Sequence, residues 1–267
     1  MLAEAIHSLA DSGNQLLLLF GMKQSKRPPD ANFPLGYGKS IYFWSFLVAV
    51  ILFSLGGMFS LYEGVHKFTN PEPLTKPMIA IGVLVFAIIA ESVSLWGCMW
   101  AVNNERHNRP IPEWFRESRS SELLVVFGED VAALLGLVLA LIAVLAAAIT
   151  GNSIYDAIGT IVIGVLLIVI AVMIAVEVKA LLIGQGVEQH VHEQMERFFL
   201  EQTEVDHLYN LLTLQMGPDA MVAVKAKMHP MGSDTELIDA INRVEERFRE
   251  AFPVVKWSFF EPDNKDV

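Results

Sequence analysis

Residues 2–21 read LAEAIHSLADSGNQLLLLFG, an apolar helix-forming run that carries His7 and Asp11 four residues apart. That spacing puts imidazole and carboxylate on one helical face. Ionisable groups inside a membrane-length apolar segment are costly to bury, so they face a bundle interior or an aqueous path and mark function. A helix–helix hydrogen bond is the plainer alternative. The pair reads as half of a metal site whose remainder comes from another helix.

The rest of the composition agrees with a membrane protein. Residues are 53% hydrophobic and 18% charged, and the charges are unevenly spread, which separates a spanning part from a solvated one. Four further apolar stretches follow the first, at about 41–62, 77–102, 121–149 and 155–183, each long enough for the ~20 residues a bilayer core demands. Ser54, Gly56, Gly57, Ser60, Gly159 and Gly164 within them are small residues that let membrane helices approach closely. The expected division is a transmembrane domain over 1–184 and a soluble domain over 185–267. Cys98 is the single cysteine, which excludes an intrachain disulfide and a multi-cysteine zinc site.

Loop charges orient the spans. Lys23, Lys26, Arg27 and Lys39 lie in the first loop and Arg106, Arg109, Arg116 and Arg119 in the third, against Lys67 and Lys76 in the second and none in the fourth. The positive-inside rule therefore puts loops one and three, and the tail, in the cytosol. It also puts Met1 on the far side. A first helix bearing Glu4, His7, Asp11, Asn14 and Gln15 is a poor entry signal, which predicts a further helix ahead of this sequence in the full protein. Sixteen acidic residues against eight basic ones follow Gly186, so the tail holds −8 of the net −11 and argues against nucleic acid as a partner.

The tail reads αββαβ. Val187, Val191, Met195, Phe198 and Phe199 give one helix an apolar face; Leu208 to Met216 and Val222 to Met228 alternate as strands around a turn at Gly217, Pro218 and Asp219. Ser233 with Glu236 is a capping box opening a second helix that Pro253 ends, and Val255, Trp257 and Phe259 alternate in a last strand. The order predicts a small sheet with both helices on one face.

Candidates for the other half of the metal site are few. Glu91, Glu122, Glu129, Asp130, Asp156 and Glu177 are the acidic residues of the later spans, and Asp130 is the deepest in its helix. Glu129 is rotated about 100° from it, so both serve only if the ligand sits between them. Glu91 is a weaker candidate, equally readable as a structural carboxylate or gate. Glu122 belongs at the cytosolic rim.

The run AIHSLADSGNQLLLLFGMKQSKRPPDANFPLGYGKSIYFWSFLVAVILFSLGG resembles the second and third helices of the cation diffusion facilitator family. That resemblance implies an all-α transmembrane bundle, six spans in the family and five here, followed by a small α+β domain of αββαβ, ferredoxin- or metallochaperone-like order. His7 and Asp11 match the family's HxxxD. The fifth family helix usually carries (H/D)xxxD, and here the matching positions are Val126 and Asp130, with the first ligand replaced. Together with FGEDVAALLG this looks closer to the branch containing the animal mitochondrial zinc transporter than to ordinary bacterial zinc exporters. The family's loop metal site falls on Asp30, Phe33 and Tyr37, which implies that it is absent. Its strand histidines fall on Lys225 and on Phe260 or Glu261; His190, His192, His207 and His229 read better as surface residues than as ligands.

The implied activity is divalent metal/proton antiport, not an enzyme reaction, with His7, Asp11, Asp130 and Glu129 as metal ligands. Imidazole and carboxylates without thiolate suit Zn2+ and accommodate Co2+, Ni2+, Fe2+ or Mn2+. Protons compete for the same ligands, an imidazole having an ordinary pKa of about 6.5. The implied partner is a second copy, a homodimer through the soluble domain and membrane helices, and the implied setting is the lipid bilayer of a bacterial inner membrane. The competing reading is a non-transporting, membrane-anchored metal-sensing or scaffold dimer.

Overall fold

The computed structural model describes the backbone of residues 2–71 and 77–265 and the side chains of residues 12–71 and 77–265. The chain forms two compact units, one of Met1–Gln24, Ile41–Arg116 and Ser121–Lys179, the other of Ser25–Ser40, Glu117–Ser120 and Ala180–Val267. The regular elements of its described residues are all helices: α1 (Leu2–Ser25), α2 (Ser40–Ile51), a π-helical segment (Leu52–Met58), α3 (Phe59–Thr69), α4 (Pro77–Glu105), α5 (Ile111–Glu117), α6 (Ser121–Thr150) and α7 (Ile154–Ile183).

Among the described residues, four helical stretches are long and apolar enough to cross a membrane: Ser40–Thr69, Pro77–Glu105, Ser121–Thr150 and Ile154–Ile183. The 24 residues of α1 give it about 36 Å of length, again enough to span. The span from Ser40 is longer than its apolar core suggests, because α2, the π segment and α3 run on without a break. The π turns coincide with Ser54, whose hydroxyl donates back to the Val50 carbonyl at 2.8 Å, and with Gly56 and Gly57, which have no side chains to brace a regular helix. Helix α5 was not legible in the loop sequence. Its Trp114 is buried with Cys98, Val102 and Leu124, so the third loop folds back as a lid of apolar side chains between α4 and α6.

Small residues bring the spans into backbone contact. A Cβ on Gly164 of α7 would lie 2.6 Å from the Leu61 amide nitrogen of α3, and one on Gly64 of α3 would lie 2.7 Å from that of Ile161. Gly159 meets the Ala143 side chain of α6 in the same way. Without a hydrophobic drive between helices in lipid, this close van der Waals approach is what holds them together. At the same contact Lys67 of α3 pairs with Glu63 at 3.3 Å and with Asp156 of α7 at 3.2 Å. The outer faces are apolar and exposed, as Phe86, Trp96 and Trp100 of α4 are, which suits lipid.

The second unit contains α8 (Gln189–Leu200), β1 (Val205–Met216), β2 (Asp219–Met228), α9 (Asp234–Ala251) and β3 (Val255–Pro262). The sheet order is β1-β2-β3, with β2 antiparallel to β1 and parallel to β3. Ala220, Val222, Val224, Ala226 and Met228 share one parity of β2 and are all buried, in one cluster with Met195 and Phe199 of α8 and Ala240, Val244 and Phe248 of α9. Both helices therefore cover the same face of the sheet. Ser233 caps α9 by accepting from the Glu236 amide, while the Glu236 carboxylate accepts from Gly232 rather than from the cap residue itself. Gly217, at φ +74°, opens the two-residue β1–β2 turn in a conformation that a side chain resists.

Two loops of the chain's first half belong to this unit. A Cβ on Gly38 would fall 1.9 Å from the Met216 carbonyl oxygen, so the loop after α1 lies backbone to backbone on the β1–β2 turn. Arg119, before α6, donates to the carbonyls of Gly186 at 2.7 Å and Val187 at 3.3 Å.

The glycine contact predicts a graded stability response. Gly164→Ala should destabilise the detergent-purified protein by about 1–3 kcal/mol through overpacking against α3. Gly82→Ala, where nothing lies within 4 Å, should leave the thermal midpoint unchanged or slightly raised. Equal midpoints for the two variants would show that α3 and α7 do not meet at Gly164.

Candidate metal centre

Helix α6 presents three consecutive residues to three different neighbours. Gly128 faces α7, where a Cβ would meet the Ile174 side chain at 2.5 Å. Glu129, about 100° further round, accepts at Oε1 from the Asn14 amide nitrogen of α1 at 2.5 Å. Asp130, another 100° on, accepts from the Ser94 hydroxyl of α4 at 3.3 and 3.4 Å. Asp130 is 8% exposed and Asn14 only 1%. A fully buried amide and a nearly buried carboxylate, inside helices of membrane length, are the polar heart of this unit.

The side chains of His7 and Asp11 lie outside the described residues. Their helix is continuous from Leu2 to Ser25, so positions 7, 11 and 14 follow one another at single turns along it. The Asn14–Glu129 bond thus sets Glu129 one turn beyond position 11. Glu91 is on α4, three residues before Ser94 and on the same helical side. Glu122 is in the first turn of α6 and Asp156 is committed to Lys67, away from Asp130. Val126 packs against the Cys98, Val102, Trp114 and Leu124 cluster, an apolar role that accounts for the missing ligand at that position. Among the described residues no three of His, Cys, Asp and Glu gather as a metal cluster. Asn14 and Ser94 were not singled out from the sequence as site residues; the signal available was a polar side chain one turn from a candidate ligand in an apolar helix.

The cation efflux transmembrane domain family matches residues 1–183. The chain belongs to the cation diffusion facilitator family. It is 32% identical over 220 residues to metal tolerance protein C4 of Arabidopsis thaliana, covering 82% of this chain and 48% of that protein. It is 30% identical over 223 residues to the human mitochondrial proton-coupled zinc antiporter SLC30A9, covering 81% and 39%. Magnetosome protein MamB of Magnetospira is 25% identical over 248 residues, covering 91% of this chain and 79% of its own length. The chain thus spans half or less of the first two proteins.

Two positions matching accessory metal sites of the family hold internal bonds. In the first loop Asp30 accepts from the Tyr37 hydroxyl at 2.6 Å and from the Asn32 and Phe33 amides at 2.9 Å each. Phe33 and Tyr37 pack ring to ring with centroids 4.5 Å apart, and Arg27 lies over the Tyr37 ring at 4.7 Å. The loop is closed by a hydrogen-bonded carboxylate and aromatic packing. On the sheet, Lys225 donates its ammonium to Asp263 at 3.0 Å, with Glu261 at 4.0 Å, so a fixed cation stands among the carboxylates there. His190, His192 and His229 lie near Glu188, Glu196 and Asp206 respectively, and His207 meets the Tyr209 ring edge to face.

The Tyr37 hydroxyl, followed by the Phe33 amide, holds the Asp30 carboxyl below the ordinary aspartate range. A depressed folded pKa contributes stability that is complete above the unfolded value and lost as pH falls through the folded one. The first loop should therefore keep its closed form at neutral pH and open only below about pH 4. Tyr37→Phe should move the Asp30 titration upward towards its ordinary range, read from the carboxyl-carbon resonance. An unmoved titration would mean that Tyr37 does not bond Asp30.

Proposed function

We propose that the chain transports a divalent metal cation in exchange for protons, by alternating exposure of a site formed by His7 and Asp11 on α1 and Glu129 and Asp130 on α6. The observation that carries this reading is the bond from Asn14 to Glu129, which joins the helix bearing the HxxxD pair to the helix bearing the two acids. Charges at bilayer depth are expensive, and a pure scaffold gains nothing from them. Zinc is the proposed cargo, since it accepts four nitrogen and oxygen ligands without a geometric demand, and Co2+, Ni2+, Fe2+ and Mn2+ are the other cations such donors take. Each ligand must lose its proton to hold the metal, so protons arriving from the opposite side displace it and drive the exchange. Glu91, on the α4 side of Asp130, is the reserve ligand. The proposed setting is a bacterial inner membrane, with the αββαβ domain on the cytosolic side where the loop charges put it.

The working unit we propose is a homodimer. The sheet face away from α8 and α9 carries a row in which Leu212, Ala223 and Phe259 are register partners, beside a second row of Leu214, Met221 and Trp257. Leu212 is 60% exposed and Phe259 56%, an apolar strip that a second copy would cover.

Zinc flux into proteoliposomes under an imposed pH gradient tests the transport reading. Asp130→Asn and Glu129→Gln keep side-chain size and should each cut flux at least ~100-fold with dimer and fold intact, as loss of a metal ligand or its direct partner does. Parent-level flux in both would leave the sensing or scaffold reading ahead. For the dimer, Leu212→Glu with Phe259→Glu should weaken self-association at least ~10-fold by sedimentation. An unchanged association constant would move the interface elsewhere.

A further inference from the structure

Asn14 is only 1% exposed, and its two amide atoms have opposite fates. The nitrogen donates to Glu129 Oε1 at 2.5 Å. The oxygen is buried and finds no hydrogen-bond donor. With Glu129 ionised, exchanging the two atoms does not relieve this, because an amide oxygen set against a carboxylate oxygen has no proton to share. Buried acceptors are almost always satisfied, and one left open inside a membrane-length helix is costly. The open acceptor lies in the residue that contacts Glu129, one helical turn beyond Asp11.

We propose that Asn14 is a further residue of the cation site, its amide nitrogen fixing Glu129 and its amide oxygen serving as a neutral donor to the bound divalent cation. The inference rests on the reading that Glu129 and Asp130 form that site. Amide oxygens are ordinary ligands of hard and borderline cations. A neutral donor supplements the carboxylates without adding charge to a site already rich in them. The N–H···O bond steadies Glu129 whether that carboxyl holds a cation or a proton, so the side chain stays in place through the exchange. An oxygen donor in addition to, or in place of, imidazole also shifts preference from Zn2+ towards Mn2+, Fe2+ and Co2+. Asn14 thereby becomes a determinant of selectivity as well as of Glu129 position.

The test is calorimetric titration of the full-length, detergent-purified chain with ZnCl2 and with MnCl2, alongside flux of both ions in proteoliposomes. Asn14→Leu, of similar size and without polar atoms, should weaken binding of both ions about 10–100-fold, the range for a residue that orients a ligand. In a Glu129→Gln background the same change should cost clearly less, because the two side chains act as one unit. Asn14→Asp keeps an oxygen but cannot donate when ionised, so it should bind Mn2+ more nearly as the parent does while losing Zn2+/Mn2+ selectivity and gaining one exchanged proton per metal. If Asn14→Leu does not fold, Asn14→Asp alone decides. Parent affinity, selectivity and proton count in the folded variants overturn the proposal, as do effects of Asn14→Leu that are fully independent of Glu129→Gln. Asp130→Asn separates this from the underlying reading. Loss of binding there with Asn14→Leu unchanged defeats only the role of Asn14, whereas parent binding in Asp130→Asn defeats the site itself.

Discussion

The constraint on which the membrane unit depends is the need to satisfy two adjacent acids in the middle of an apolar helix. Glu129 and Asp130 are neighbours in sequence, so their side chains leave α6 about 100° apart and no single partner helix serves both. The structure resolves this by placing α1 on one side and α4 on the other, with Asn14 and Ser94 as the contacting groups. Gly128, the preceding residue, has given up its side chain to let α7 close the third side. The order of helices around α6 is thus written in three successive residues, Gly-Glu-Asp. Changing any one alters which neighbour can approach.

The same economy explains the far contact between α3 and α7. Apolar side chains gain little by leaving lipid for a helix interface, so backbone approach at Gly57, Gly64 and Gly164 supplies packing, and Lys67 with Glu63 and Asp156 supplies a directional tie. The π-helical segment includes Gly57 and ends six residues before Gly64. Seven residues apart, Gly57 and Gly64 lie on one face of the helix, which lets both meet α7. Where α3 is held by α7, α2 is held elsewhere: the Ser45 hydroxyl meets that of Ser121 on α6 at 3.0 Å, and Trp44 donates to Gln24 of α1 at 2.8 Å.

Much of this architecture was legible in the amino-acid order because it follows from period and length. Apolar runs of twenty or more residues give spans, and alternation in Val222, Val224, Ala226 and Met228 gives the central strand whose buried parity the structure repeats. The capping box at Ser233 and the turn at Gly217 were readable from local hydrogen-bonding and backbone chemistry. What was not legible depended on which helix lies beside which. Asn14 looked like one more polar residue in the first span, since nothing in the sequence says that Glu129 will stand opposite it. Asp156 looked like a possible ligand until α3 brought Lys67 to it. The π turns and α5 escaped because a short Gly-Gly interruption and a seven-residue helix carry too little periodicity to separate from their surroundings.

The accessory positions sharpen where function can reside. At Asp30 a tyrosine hydroxyl and two amides bond the carboxylate, and at Asp263 the Lys225 ammonium does so. The loop closed by Asp30 continues to Gly38, which lies on the β1–β2 turn, and Arg119 grips the strand of chain leading into α8. These two loops are also the covalent continuations of α1 and α6, the helices that carry the proposed ligands. Because their contacts are backbone close packing and a charged side chain on carbonyls, they hold with or without metal.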